Sequence, residues 1–141
     1  MWAFMDTSAL VKLYDGTEPD TLALQQRLGP ITRIFLSDLT RVEFSSAFQR
    51  KVRRGDLSQQ QAGAVVALFQ QSSSDYSWIT LEAAVLAHAA QSLKQHSATA
   101  LRSLDAIQLA CALTRANGKV LFFIHDAHLL AAAGASGLRI D

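Results

Sequence analysis

Trp2-Ala3-Phe4-Met5-Asp6-Thr7-Ser8-Ala9-Leu10-Val11-Lys12-Leu13-Tyr14 is the stretch that decides the fold class. Four apolar residues stop at an acid without any polar alternation, which predicts a strand over Trp2 to Met5 covered on both faces. Ser8 to Tyr14 then reads as a helix. A strand buried on both sides and followed at once by a helix is the unit of a parallel α/β sheet. Working outward, Ile34-Phe35-Leu36, Tyr76 to Thr80 and Val120 to Ile124 read as further strands, with Leu138-Arg139-Ile140 as a fifth. Helices fill the intervals. Leu22, Leu24 and Leu28 carry one to Gly29-Pro30, with Pro19 in its first turn. Thr40 and Glu43 have capping-box spacing and open another, running through Val52 to a stop at Gly55. Ser58 and Gln61 repeat that spacing ahead of Val65, Val66, Leu68 and Phe69. Leu81 to about Gln95, Leu104 to Ala116 (capped by Ser103) and Ala127 to Ala133 complete the set.

The expected architecture is one domain spanning 1–141, with helices on both faces of the sheet. Composition agrees: 50% of residues are hydrophobic and only 18% charged, which excludes disorder. The longest apolar runs, Val120 to Ile124 and Leu129 to Ala133, are far short of the roughly 20 residues a membrane span requires. A single cysteine excludes an internal disulfide and a cysteine zinc cluster. Met1 to Asp6 has no basic lead of the secretory kind, so a reducing, cytoplasmic setting is expected. The net charge of +1 names no partner, but residues 41–54 hold five cations (Arg41, Arg50, Lys51, Arg53, Arg54) against Glu43 alone. Such a stripe fits either a solvated helix face or a phosphate backbone.

In parallel sheets ligands bind at the carboxyl ends of the strands. Asp6 and Asp126 end the first and fourth strands, and Glu43 falls in the first turn after the second. Asp105 opens the helix that precedes the fourth strand and joins them if that helix runs back from the same edge. Each acid also has a local explanation as a helix cap or a first-turn carboxylate. Their surroundings point further. Asp6 adjoins a wholly apolar strand, and Asp105 leads into Ala106-Ile107-Gln108-Leu109-Ala110-Cys111-Ala112-Leu113, apolar nearly all round. Converging carboxylates in such a setting repel one another and lose hydration, and a hard divalent cation relieves both effects. On this reading Asp105→Asn stabilises the metal-free protein. Oxygen-only ligands favour magnesium or manganese over zinc, and the matching chemistry is phosphodiester hydrolysis with no protein nucleophile.

The segments Asp6 to Tyr14, Thr40 with Glu43, Leu104 to Ala110, and Asp126 with Leu129 and Ala132 together resemble PIN domains, most closely the VapC-type toxins of toxin–antitoxin pairs. The resemblance spans essentially the whole chain. It implies a three-layer α/β/α sandwich with a parallel sheet of four to five strands in the order 3-2-1-4-5. It also implies a magnesium-dependent endoribonuclease (manganese an alternative ion), acting on RNA as a homodimer and held inactive by a cognate antitoxin. The metal-binding acids it implies are Asp6, Glu43, Asp105 and Asp126, with Ser8 orienting the Asp6 carboxylate or a bound water. One departure is Ile124, where the family often carries a hydroxyl two residues before its last acid.

Other candidates carry less. Glu82 reads as dipole support for its helix, and Asp38 competes with Thr40 for a cap. His125 and His128 flank Asp126 without a third nitrogen or sulfur ligand nearby, and His88 and His96 read as surface residues. Cys111 reads as packing. Arg50 and Arg54 follow Glu43 by seven and eleven residues, on roughly its face, and are candidates to lead RNA toward the acids. The Asp-x-Asp motif of aspartyl-phosphate enzymes is absent, since Ser8 stands at its second acid. A non-catalytic PIN-like or receiver-like module binding RNA or protein is the alternative to the ribonuclease.

Overall fold

A computed structural model describes residues 1–116, 120–124 and 126–140, and for 115, 116, 127, 128 and 140 the backbone alone. Five strands are seen among them: β1 (Trp2–Met5), β2 (Arg33–Ser37), β3 (Ser77–Ile79), β4 (Val120–Phe123) and β5 (Arg139–Ile140). They pair in parallel in the order β3-β2-β1-β4-β5, as expected. Seven α-helices connect them: α1 (Thr7–Tyr14), α2 (Thr21–Leu28), α3 (Thr40–Arg53), α4 (Gln59–Gln71), α5 (Ala83–Gln95), α6 (Ser103–Ala116) and α7 (Ala127–Ala135). A short 3-10 turn, Ser73–Asp75, precedes β3.

The strands lack polar alternation because both faces are covered. Successive residues of β1 and β4 serve opposite cores. Phe4, Val120 and Phe122 pack with residues of α5, α6 and α7. Ala3, Met5 and Phe123 pack with residues of α1, α2, α3 and α4. Phe4 and Phe122 meet edge to face at 5.2 Å. This three-layer arrangement makes β1 central and leaves its carboxyl end open to helix termini.

Several local expectations are corrected. Thr40 and Glu43 form no capping box: the cap position of α3 is Leu39, with no side-chain cap bond. Thr40 is buried, because its hydroxyl turns inward. Asp38 is no cap either; its carboxylate accepts from Arg41 Nε at 3.1 Å. α2 begins at Thr21, so Pro19 lies ahead of it, and α5 begins at Ala83 after Glu82. By contrast, the Ser58–Gln61 capping box is present, with both reciprocal bonds. No helix among the described residues is long and apolar enough to cross a membrane.

Candidate active site at the carboxyl edge of the sheet

Asp6 leaves β1 at the centre of the edge. Its backbone N–H donates to Phe123 O at 3.2 Å, which ties the end of β1 to the end of β4. Its side chain caps α1: Oδ1 accepts from Ala9 N at 3.2 Å, and Ser8 Oγ lies 2.8 and 2.9 Å from the two carboxylate oxygens. The carboxylate is 5% exposed, and no cationic side chain among the described residues pairs with it. Burial, the largest influence, together with the Glu43 charge, pushes its pKa up to about 7 against the hydrogen bonds from Ser8 and Ala9.

Glu43 is held from two sides. Thr7, the residue after Asp6, donates its hydroxyl to Glu43 Oε1 at 2.8 Å, and Gln108 Nε2 donates to the same oxygen at 2.7 Å. That second bond also answers the question of direction for α6. Because Gln108 reaches Glu43, α6 starts at the carboxyl edge and runs back from it. Asp105, three residues earlier, stands on the same face of α6 one turn nearer that edge. Its Oδ2 lies 3.4 Å from the backbone N–H of Arg102 and 3.6 Å from Arg102 Nε. The Asp105 side chain is 18% exposed beside the Arg102 guanidinium. Asp126 follows β4 and caps α7, accepting from Leu129 N at 3.0 Å.

Asp6 and Asp126 thus follow neighbouring strands at one edge, Glu43 is tied there through Thr7, Asp105 lies one turn from Gln108, and the Glu43 charge helps to raise the Asp6 pKa. Among the described residues, no three His, Cys, Asp or Glu side chains are gathered into a ready-made metal cage. The donor set nevertheless suits a hard divalent ion. It consists of oxygens alone, its most buried carboxylate has no counter-cation, and Glu43 Oε2 accepts no hydrogen bond among the described residues.

Sequence reasoning missed three side chains. Thr7, Thr40 and Gln108 form a buried polar cluster behind Glu43, with Thr7 Oγ1 and Thr40 Oγ1 3.1 Å apart and Gln108 Nε2 3.1 Å from each. The available signal was Gln108 itself, the one amide inside an apolar helical run. Arg50 and Arg54 are exposed on the far half of α3. By helix rise they stand roughly 10 and 16 Å along the axis from Glu43. Lys51 leaves the basic stripe, half-buried against Asp15 at 2.6 Å and Glu18 at 3.3 Å. Arg41 lies over the Trp78 ring at 3.6 Å. His96 Nε2 meets Ser136 Oγ at 3.2 Å. Cys111 is buried in the core, as expected. His125 and the side chain of His128 lie outside the described residues. A cleft of about 370 Å³ between α1, α2 and the end of β4 is lined by Lys12, Asp20, Arg27, Phe123 and Ile124 among others.

Comparison with known proteins agrees with the fold. The PIN domain family model matches residues 3–135. Among solved structures, VapC20 of Mycobacterium tuberculosis, described as a Sarcin-Ricin loop cleaving toxin, is similar with a TM-score of 0.70. It is 19% identical, over 92% of this chain and 94% of that one. VapBC2 of Rickettsia felis, solved on a DNA fragment from its promoter, has a TM-score of 0.68 at 12% identity, over 100% and 98% of the two chains. VapBC-1 of nontypeable Haemophilus influenzae has a TM-score of 0.65 at 16% identity, over 100% and 97%. No curated protein sequence matches. The chain belongs to the PIN domain family.

Proposed function

We propose that this PIN-domain chain is a magnesium-dependent endoribonuclease, the toxin of a toxin–antitoxin pair. The observation that carries the reading is Asp6: a carboxylate buried at the centre of the sheet edge, within the field of Glu43, and without a cationic partner among the described residues. Such a group is costly unless something positive comes to it. Asp6, Glu43, Asp105 and Asp126 are the residues that would hold the ion. When bound, a divalent ion supplies Lewis-acid polarisation of the phosphate and a more acidic water. Ser8 keeps both Asp6 oxygens in one orientation, and the α1 terminus adds the Ala9 N–H. Arg50 and Arg54, exposed towards the far end of α3, are the side chains that would lead a phosphate backbone toward the acids.

The toxin reading is supported by the similar structures, which include a toxin described as cleaving the Sarcin-Ricin loop and a toxin–antitoxin complex from Klebsiella pneumoniae. With it come an antitoxin partner, a homodimer and a cytoplasmic location. The competing reading, a non-catalytic binding module, is favoured by one observation: Asp6, Asp105 and Asp126 are each engaged by a backbone N–H at a helix start. Incubating the purified protein with total RNA separates the two. Cleavage with magnesium that disappears with EDTA and in Asp6→Asn is expected. Cleavage surviving chelation sinks the metal mechanism, and no cleavage under any condition selects the binding module.

A further inference from the structure

We infer that Thr7, Thr40 and Gln108 are positioning residues, which clamp one oxygen of Glu43 and leave the other presented to a divalent cation. This inference rests on the metal-site reading given above. The hydrogen atoms can be assigned from the partners alone. Glu43 Oε1 is an acceptor, so the Thr7 hydroxyl at 2.8 Å spends its proton there. Thr7 Oγ1 is then the acceptor of its contact with Thr40 Oγ1 at 3.1 Å, so Thr40 donates. Gln108 Nε2 has two protons. One goes to Glu43 Oε1 at 2.7 Å, the shortest contact of the cluster, and the other is shared by the two threonine oxygens at 3.1 Å. Every proton of the cluster is thereby aimed, directly or through one hydroxyl, at a single carboxylate oxygen.

Packing alone does not explain the choice of residue at position 108. Gln108 is 2% exposed, and its Oε1 is buried with no hydrogen-bond partner among the described residues. A leucine or methionine fills the same volume without stranding an amide oxygen, so the position favours a residue that reaches Glu43 through nitrogen. The three side chains also come from three separate elements, α1, α3 and α6. They fix the Glu43 carboxylate relative to both Asp6, adjacent to Thr7, and Asp105, one turn from Gln108. Side chains that orient a metal-binding carboxylate in this way control affinity for the ion.

The test measures binding, with no RNA present. Magnesium and manganese affinities are determined by titration calorimetry for wild type, Thr7→Val, Thr40→Val, Gln108→Met and the conservative Thr7→Ser. Melting in EDTA establishes that each variant is folded. The expected result is roughly tenfold weaker binding for Gln108→Met and Thr7→Val, with Thr7→Ser within about twofold of wild type. Should Gln108→Met prove unfolded, Thr7→Val against Thr7→Ser decides alone, because Thr7→Val keeps the branched shape and loses the hydroxyl, whereas Thr7→Ser keeps the hydroxyl and loses only a methyl group. Folded variants that bind either ion as tightly as wild type overturn the clamp and leave the metal site standing. A wild type that binds neither ion removes both together.

Discussion

Two aspartates stand at the two ends of helix α1 and meet opposite fates. Asp6 at its start is 5% exposed, and Asp15 just past its end is 4% exposed. Burial raises the pKa of both. At Asp15 it is outweighed by Lys51 Nζ at 2.6 Å and by hydrogen bonds from Thr17, which hold the carboxyl below the usual carboxylate range. Lys51 is pushed up in turn, since Asp15 and Glu18 outweigh its own burial. Asp6 receives, among the described residues, hydrogen bonds from Ser8 and Ala9, and rises to about 7. One carboxylate carries its counter-ion within the chain; the other has none among the described residues. A buried acid is thus a structural fitting at one end of the helix and a candidate for chemistry at the other, and its burial does not tell the two apart. The missing cation does.

The largest test of this contrast is Lys51→Met, which strands Asp15. A fall in unfolding free energy of about 3 kcal/mol is expected from urea melts, partly recovered by adding Asp15→Asn. A loss below about 1 kcal/mol would show that Asp15 does not depend on Lys51.

Next comes pH. The folded pKa of Asp6 lies above its unfolded value, so the folded state binds the extra proton and metal-free stability falls as pH rises from about 4 to about 7. Asp15 has the opposite sign, because its folded pKa is depressed: its contribution is present above the ordinary carboxylate range and is lost on acidification. Asp6→Asn removes only the first effect. In EDTA its advantage over wild type should grow by about 2 kcal/mol between pH 5 and pH 8. Parallel pH profiles for the two proteins would contradict an uncompensated Asp6. Magnesium should narrow the gap at pH 8 by stabilising wild type through mass action.

The smallest effect is expected at the rim. Lys12 and Asp20 also form an ion pair, at 2.9 Å, but Asp20 is 66% exposed. Asp20→Asn should cost less than about 0.5 kcal/mol in the same melts, since water already solvates that carboxylate. A larger loss would mean that proximity, rather than burial, sets the value of the Asp15–Lys51 pair.

The strands were legible in the sequence because burial on both faces writes itself as unbroken apolar runs, as in Trp2 to Met5 and Val120 to Ile124. The acids were legible as well, since a carboxylate ending such a run has few places to go. The cluster behind Glu43 was hidden by distance along the chain. Thr7, Thr40 and Gln108 belong to α1, α3 and α6, and no local spacing links them. Thr40 and Glu43 had the spacing of a capping box, and the tertiary partners Thr7 and Gln108 took both side chains instead. Lys51 sat among arginines and looked solvated, yet its position on α3 brings it beneath α1 to Asp15.

The central place of β1 has a consequence for synthesis. Its neighbours are β2 on one side and β4 on the other, and β4 follows β1 by more than a hundred residues. Parallel pairing between such distant segments forms late. A nascent polypeptide emerging from the ribosome therefore holds Asp6 on a half-built ladder until Val120 to Phe123 has been translated. Fragments that end before residue 103 lack both α6 and β4, and with them Gln108 and the second partner of β1.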